Sequence, residues 1–301
     1  MILCDTHADT LHRMAVEPKG RYDLSLERLC AGGVSLQVMA MYVGKDPAPD
    51  KVAALFEKML AAKDRLLREG WLQTDDPEEA AAGQTRFMLS VEGCEVFEEG
   101  LHAIDRYRRL GVRMAAVTWN YENKLGTPAC LNPDDGLKPY GLTAVRHMQR
   151  LGIAVDVSHL NIQGFYDILG KTDMPPLASH SCCRALRDHP RNLWDDQLKA
   201  LFAAGGYVGV NFLPYFLITP DKPCTIDTVI DHIDHLHQLG GQGKVGFGSD
   251  FDGIGEKPEG LDNPSDFPAL LEGLRRRGYQ EQTIQDIAGR NLLAYYRRIA
   301  G

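Results

Sequence analysis

Short apolar, β-branched runs alternate along this chain with longer amphipathic segments. The runs predict strands over Ile2–Cys4, Ser35–Tyr42, Arg86–Val91, Met114–Thr118, Ala154–Val157, Leu177–Ser179, Tyr207–Asn211 and Lys244–Gly248. Among the helical segments, Lys51–Glu69 places Val52, Leu55, Phe56, Met59, Leu60 and Ala62 at helical spacing before Gly70 ends it. Further helices are predicted over Ile104–Leu110, Leu142–Leu151, Ile162–Leu169, Asp195–Ala204, Ile226–Leu239, Pro268–Arg277 and Glu281–Ile299. Asp195 and Asp196 stand where a helix N-terminus favours carboxylates, so Trp194-Asp195-Asp196-Gln197 reads as a helix start.

Eight strands alternating with helices over about 250 residues predict a (β/α)8 TIM barrel. No Pro/Ser-rich linker, low-complexity tract or charge block divides residues 1–301, so a single domain is expected. A doubly wound open sheet is the structural alternative, but no GxGxxG follows the first strand.

Composition narrows the partners. Lys and Arg number 33 against 41 Asp and Glu, a formal charge of -8, which argues against binding a phosphate backbone. No nucleic acid is expected. The N-terminus, Met-Ile-Leu-Cys-Asp-Thr-His, lacks the basic and apolar stretches of a signal peptide, and no apolar run is long enough to span a bilayer. Seven irregularly spaced cysteines, with no CxxC, fit reduced thiols in a cytoplasm.

The chemistry gathers at the strand ends. His7 and Asp9 follow the first run, Glu92 the third, Trp119 and Asn120 the fourth, His159 the fifth and His180 the sixth. Asn211 closes the seventh and Asp250 follows the eighth. In a barrel these ends converge on one rim, where such enzymes place their active sites. His7-Ala8-Asp9 can aim an imidazole and a carboxylate at one cation, because residues two apart in extended chain share a side. Taken alone, the pair reads as an exposed His beside a helix cap. Glu92 has two oxygens that could bridge two metal ions; its bland alternative is a salt bridge at the barrel top. His159 and His180, at successive strand ends, tilt the reading to metal, since neutral imidazole is a common ligand for Zn²⁺-like ions. Asp250 points to the rim, whereas Asp252 reads as a plain Asx-turn. Asp231-His232-Ile233-Asp234-His235-Leu236-His237 is rich in donors, yet it lies on a predicted outer helix and reads as packing or solvated surface. Cys182 and Cys183 read as small buried residues.

These residues resemble the membrane dipeptidase (renal dipeptidase) family, a zinc-dependent branch of the amidohydrolase-type barrels. The likeness runs from Asp5-Thr6-His7-Ala8-Asp9 to Asn291-Leu292-Leu293. It includes Val91-Glu92-Gly93, Asp156-Val157-Ser158-His159, Ser179-His180-Ser181, His189-Pro190-Arg191-Asn192 and Gly248-Ser249-Asp250-Phe251-Asp252-Gly253.

The resemblance implies two Zn²⁺ ions per chain, with Co²⁺ or Mn²⁺ able to share such ligands. His7, Asp9 and Glu92 would hold one and Glu92, His159 and His180 the other. Asp250 is the implied acid/base, and Arg191 the implied anchor for a substrate's terminal carboxylate. Animal members carry a substrate-contacting His where this chain has Trp119, and indole N–H can only donate. Trp119 and Asn120 are taken as substrate contacts. The expected activity is hydrolysis of dipeptides, including those with a D-residue at the C-terminal position, by metal-activated water. The alternatives are another hydrolase on the same metal site (a lactonase, deacetylase or amidase) and a non-catalytic metal-binding barrel. Family habit adds a homodimer, and the absent animal-type signal and anchor segments fit a soluble bacterial-type member.

Overall fold

Apolar runs without polar alternation need cover on both faces, which favours parallel strands ringed by helices. The computed structural model describes residues 1–44 and 48–300. Its strands are β1 (Cys4–Asp5), β2 (Leu36–Tyr42), β3 (Leu72–Gln73), β4 (Arg86–Glu92), β5 (Val112–Ala116), β6 (Ala154–Asp156), β7 (Leu177–Ala178), β8 (Tyr207–Val210) and β9 (Val245–Phe247). All pair in parallel. β2 pairs with both β1 and β4, and β9 returns to β1, so eight strands close into a barrel with helices between them. β3 is the ninth, a two-residue extension beside the start of β4 that the sequence pattern did not signal.

Register carries the chemistry to one end. β2 and β4 align from Leu36 opposite Arg86 to Tyr42 opposite Glu92. Since side chains alternate, Met88, Ser90 and Glu92 lie on one face of β4, and Leu36, Val38, Ala40 and Tyr42 on one face of β2. At the start of the strands Leu36, Val38, Met88, Met114 and Tyr207 pack with Leu292, Tyr295, Tyr296 and Ile299 of the C-terminal helix Asn291–Ile299. Apolar packing therefore fills the lower barrel, while polar Tyr42 and Glu92 remain at its C-terminal rim.

Two differences from the expected elements have local causes. The first strand is Cys4–Asp5 rather than Ile2–Cys4, because pairing to β2 and β9 begins and ends there. The expected helix Glu281–Ile299 is interrupted by a π-turn over Asp286–Arg290. There Gly289 lies so close to β1 that a Cβ would stand 2.9 Å from the Ile2 carbonyl oxygen. Among the described residues no helix is long and apolar enough to cross a membrane.

Candidate metal centre and active-site cleft

β1 delivers His7 and Asp9 just beyond its end, β4 ends on Glu92, and the turns after β6 and β7 carry His159 and His180. These side chains meet. Glu92 Oε1 lies 2.9 Å from His159 Nε2 and 3.2 Å from His180 Nε2, while Oε2 lies 3.7 Å from His7 Nε2. The His7 and His180 rings stack at 3.8 Å. His7 Nε2 is also 3.5 Å from Asp9 Oδ1 and 3.9 Å from Asp250 Oδ1. Two donor groups result, His7 with Glu92 and His180, and His7 with Asp9 and Asp250.

The hydrogen bonds behind the rings fix where their lone pairs point. His159 Nδ1 lies 2.8 Å from Asn120 Oδ1, an acceptor, so that nitrogen carries the proton. Ser179 Oγ donates to Asp156 Oδ2 at 2.5 Å and therefore accepts from His180 Nδ1 at 2.7 Å. Both Nε2 atoms are thus lone-pair acceptors, although they face each other at 3.0 Å. Among the described residues, Glu92 Oε1 and Oε2, His7 Nε2 and Asp9 Oδ1 are buried with no hydrogen-bond partner. Buried carboxylate oxygens clustered in this way are costly unless positive charge, on His7 or on a bound cation, sits among them. The nitrogen and oxygen donor set fits a divalent metal of the zinc type.

Local backbone and packing support this convergence. Among the described residues only His159, Asp250 and Asp252 have positive φ without being glycine, at 67°, 65° and 67°. Such left-handed turns cost roughly 1 kcal/mol or more and cluster at functional sites. A Cβ on Gly253 would stand 2.3 Å from Asp9 Oδ2 and from Asp250 Oδ1, so its absence makes room for both carboxylates. Asn211 Nδ2 donates to Asp250 Oδ2 at 2.9 Å. Asp252 is more than a local turn. It accepts from Thr10 Oγ1 and the Asp23 amide, both at 2.6 Å, and so braces the N-terminal helix Thr10–Val16.

Electrostatics follow the burial. Burial lifts the Glu92 and Asp250 carboxyls above their usual range, with His7 opposing. For His7, burial disfavours a charge, but Glu92, Asp9 and Asp250 together outweigh it and raise the imidazole to about 10. Burial also holds His159 and His180 well below the ordinary histidine value.

Asp9, Tyr42, Glu92, Trp119, Asn120, His159, His180, Arg191 and Asp250 line one cleft of about 150 Å³, together with Leu213, Phe216, Gly253 and Ile254. Arg191, from the segment after β7, is 5% exposed, and among the described residues its Nε has no partner. Its Nη2 reaches the His180 carbonyl only at 3.5 Å. Trp119 packs 5.3 Å from Tyr42 and 6.4 Å from His159.

Sequence reasoning missed Tyr42 as a cleft residue, though it ends a predicted strand at the rim. It also missed the staples Asp5 and Asp156. Asp5 accepts from the Ser249 amide at 2.8 Å and Ser249 Oγ at 2.5 Å, tying β1 to the turn that carries Asp250. The signal was present in both cases: a strand-end Asp followed two or three residues later by a rim histidine.

The fold and rim define a (β/α)8 barrel with a histidine–carboxylate centre at the strand ends. The family model described as membrane dipeptidase (peptidase family M19) matches residues 1–300, and the chain belongs to that family. An uncharacterized dipeptidase of Schizosaccharomyces pombe is 36% identical over 222 residues, covering 72% of this chain and 53% of that protein. A second uncharacterized S. pombe dipeptidase is 36% identical over 213 residues, 70% of this chain and 52% of its own length. The match thus spans about half the length of these yeast relatives. A metallo peptidase from Rhodobacter sphaeroides, solved with a phosphinate mimic of the dipeptide L-Ala-D-Ala, superposes with a TM-score of 0.91. It shares 27% identity, and 99% of each chain is covered.

Proposed function

We propose that this chain is a binuclear zinc dipeptidase, a single hydrolase domain over residues 1–301. The observation that carries the proposal is the convergence of unpartnered buried atoms of His7, Asp9 and Glu92 with the Nε2 lone pairs of His159 and His180, beside Asp250 and Arg191. Family membership and the dipeptide mimic held by the R. sphaeroides protein support it.

His7, Asp9 and Glu92 would hold one ion and Glu92, His159 and His180 the other, Glu92 offering one oxygen to each side. Divalent ions bound there would polarise a peptide carbonyl and lower the pKa of water towards neutrality. Asp250, fixed by Asn211, takes the proton of the attacking water and returns it to the leaving amine. Arg191 binds the substrate's free carboxylate, since its planar fork makes paired, charge-assisted hydrogen bonds. With one residue between that carboxylate and the cut, dipeptides are the fitting length. Trp119 contributes a donor and an apolar wall; Asn120 faces the same cleft while holding His159 in its tautomer. A D-residue at the C-terminal position is accepted. The cysteines are unpaired, and we assign the protein to the cytoplasm.

The test is hydrolysis of a dipeptide panel by zinc-reconstituted protein, with L and D C-terminal residues, C-amidated controls and a chelator. Chelator-sensitive cleavage that requires the free carboxylate is expected. No cleavage by protein shown to carry two metals would overturn the proposal.

A further inference from the structure

A second cavity of about 320 Å³ adjoins the cleft, with His159 and Arg191 lining both. That volume is near the lower end for small-ligand sites, suited to one amino-acid side chain with solvent. Its remaining wall includes Cys130, Arg184, Trp194 and Gln197 and, among the described residues, no carboxylate, whereas the first cleft holds Asp9, Glu92 and Asp250. The charge of the two cavities is therefore opposite in kind.

The charged groups of the second cavity are donors, and one neutral acceptor, Asn192 Oδ1, stands among them, its Nδ2 being used on the Arg187 and Phe216 carbonyls. Arg184 stacks its guanidinium 4.2 Å from the centre of the Trp194 ring, which fixes its plane. Among the described residues only its Nε is bonded, to Asp188 Oδ1 at 2.8 Å. Asp188 is largely exposed and does not line the cavity, so both terminal nitrogens of Arg184 remain for a ligand. Gln197 Oε1 accepts from the Trp194 amide at 3.1 Å, which leaves its NH₂ as the free end. Burial and then the guanidiniums of Arg191, Arg187 and Arg184 hold His189 down at about 4, in keeping with a positive field along this segment.

We propose that this second cavity is a subsite for an acidic side chain on the substrate's C-terminal residue, with Arg184 as its specificity-determining contact. The inference rests on the dipeptidase reading, which seats that residue's α-carboxylate on Arg191 at the junction of the cavities. A C-terminal Asp or Glu then presents two carboxylates to two guanidiniums, Arg191 taking the main-chain one and Arg184 the side-chain one. A neutral amide of the same shape loses the charge-assisted bond and leaves Arg184 with no anion beyond Asp188.

The experiment compares kcat/KM for Ala-Glu, Ala-Gln and Ala-Ala, each with L and D C-terminal residues, on metal-loaded protein. Glu is expected to exceed Gln by about ten- to hundred-fold, the span of a hydrogen bond to a charged group, with the difference carried by KM. Arg184→Gln brings the Glu-to-Gln ratio towards one, and Arg184→Lys retains part of it. Equal rates for Glu and Gln in the unmodified protein overturn the subsite even if neither variant folds. So does a ratio that Arg184→Gln leaves intact. In both cases cleavage of Ala-Ala keeps the dipeptidase reading standing. Failure to cleave any of the three removes that reading and the subsite with it.

Discussion

Two groups of histidines in this chain meet opposite fates. His7, His159 and His180 come from three different strand ends, yet their Nε2 atoms gather around Glu92 within 2.9–3.7 Å. His232, His235 and His237 are neighbours on the helix Ile226–Gln238, and they disperse. His232 Nδ1 accepts from the Cys183 amide at 3.0 Å and Nε2 donates to the Leu217 carbonyl at 2.9 Å. His235 pairs with Asp195 at 2.8 Å, and the His237 ring packs edge-on against Tyr279. Donor density along the chain thus does not bring donors together in space. The fold does, because a helix turns consecutive side chains apart while a barrel rim turns distant ones together.

The sharpest way to break this contrast is Glu92→Gln, which replaces the shared anion by an amide. Metal content measured by elemental analysis and dipeptide hydrolysis are expected to vanish together; retained stoichiometric metal would contradict the assigned centre. Next, Asp250→Asn should keep its metal yet lose about 10²–10⁴-fold in kcat, the usual weight of general acid–base catalysis. A variant as fast as the parent would remove Asp250 from proton transfer.

His232 tests the other group. Burial holds its folded pKa at about 4, below the ordinary 6.5, so the unfolded chain binds its proton first as pH falls. Its contribution is complete above pH 6.5 and is lost as pH drops towards 4, up to ~3 kcal/mol. Urea unfolding at several pH values should show a shallower acid loss in His232→Gln than in the parent. Parallel slopes would show that His232 does not stay neutral.

Smaller effects are expected from the groups behind the proposed ligands. Ser179 links Asp156 to His180 Nδ1, so Ser179→Ala should weaken metal affinity by about 10–100-fold, read by competition with a chelator. Smallest of all is His235→Ala: the partly exposed pair with Asp195 is worth about 0–1 kcal/mol, and metal content should not change. Metal loss in that variant would place a ligand on the outer helix after all.

Much of this was legible beforehand. Alternating short apolar runs and amphipathic segments predict eight strands and a barrel, and a rim position follows for every polar residue at a strand end. Strand bounds were less legible, since pairing partners decide where a strand begins. Nothing local marked the two-residue β3, whose pairing depends on β4 lying alongside.

The sequence by itself determined which residues reach the rim, because chain order and alternation along a strand place Glu92 above Ser90 and Met88 on one face. Only the tertiary structure decided what they do there. Closure of the ring brings Asn120 to His159, Asp156 to Ser179 beside His180, and Asn211 to Asp250, contacts 23 to 39 residues apart that set proton positions. Closure also separates a carboxylate-rich cleft from an arginine-lined cavity on the two sides of Arg191. Charge and hydrogen bonding depend on distance in space, and the packed barrel alone sets that distance.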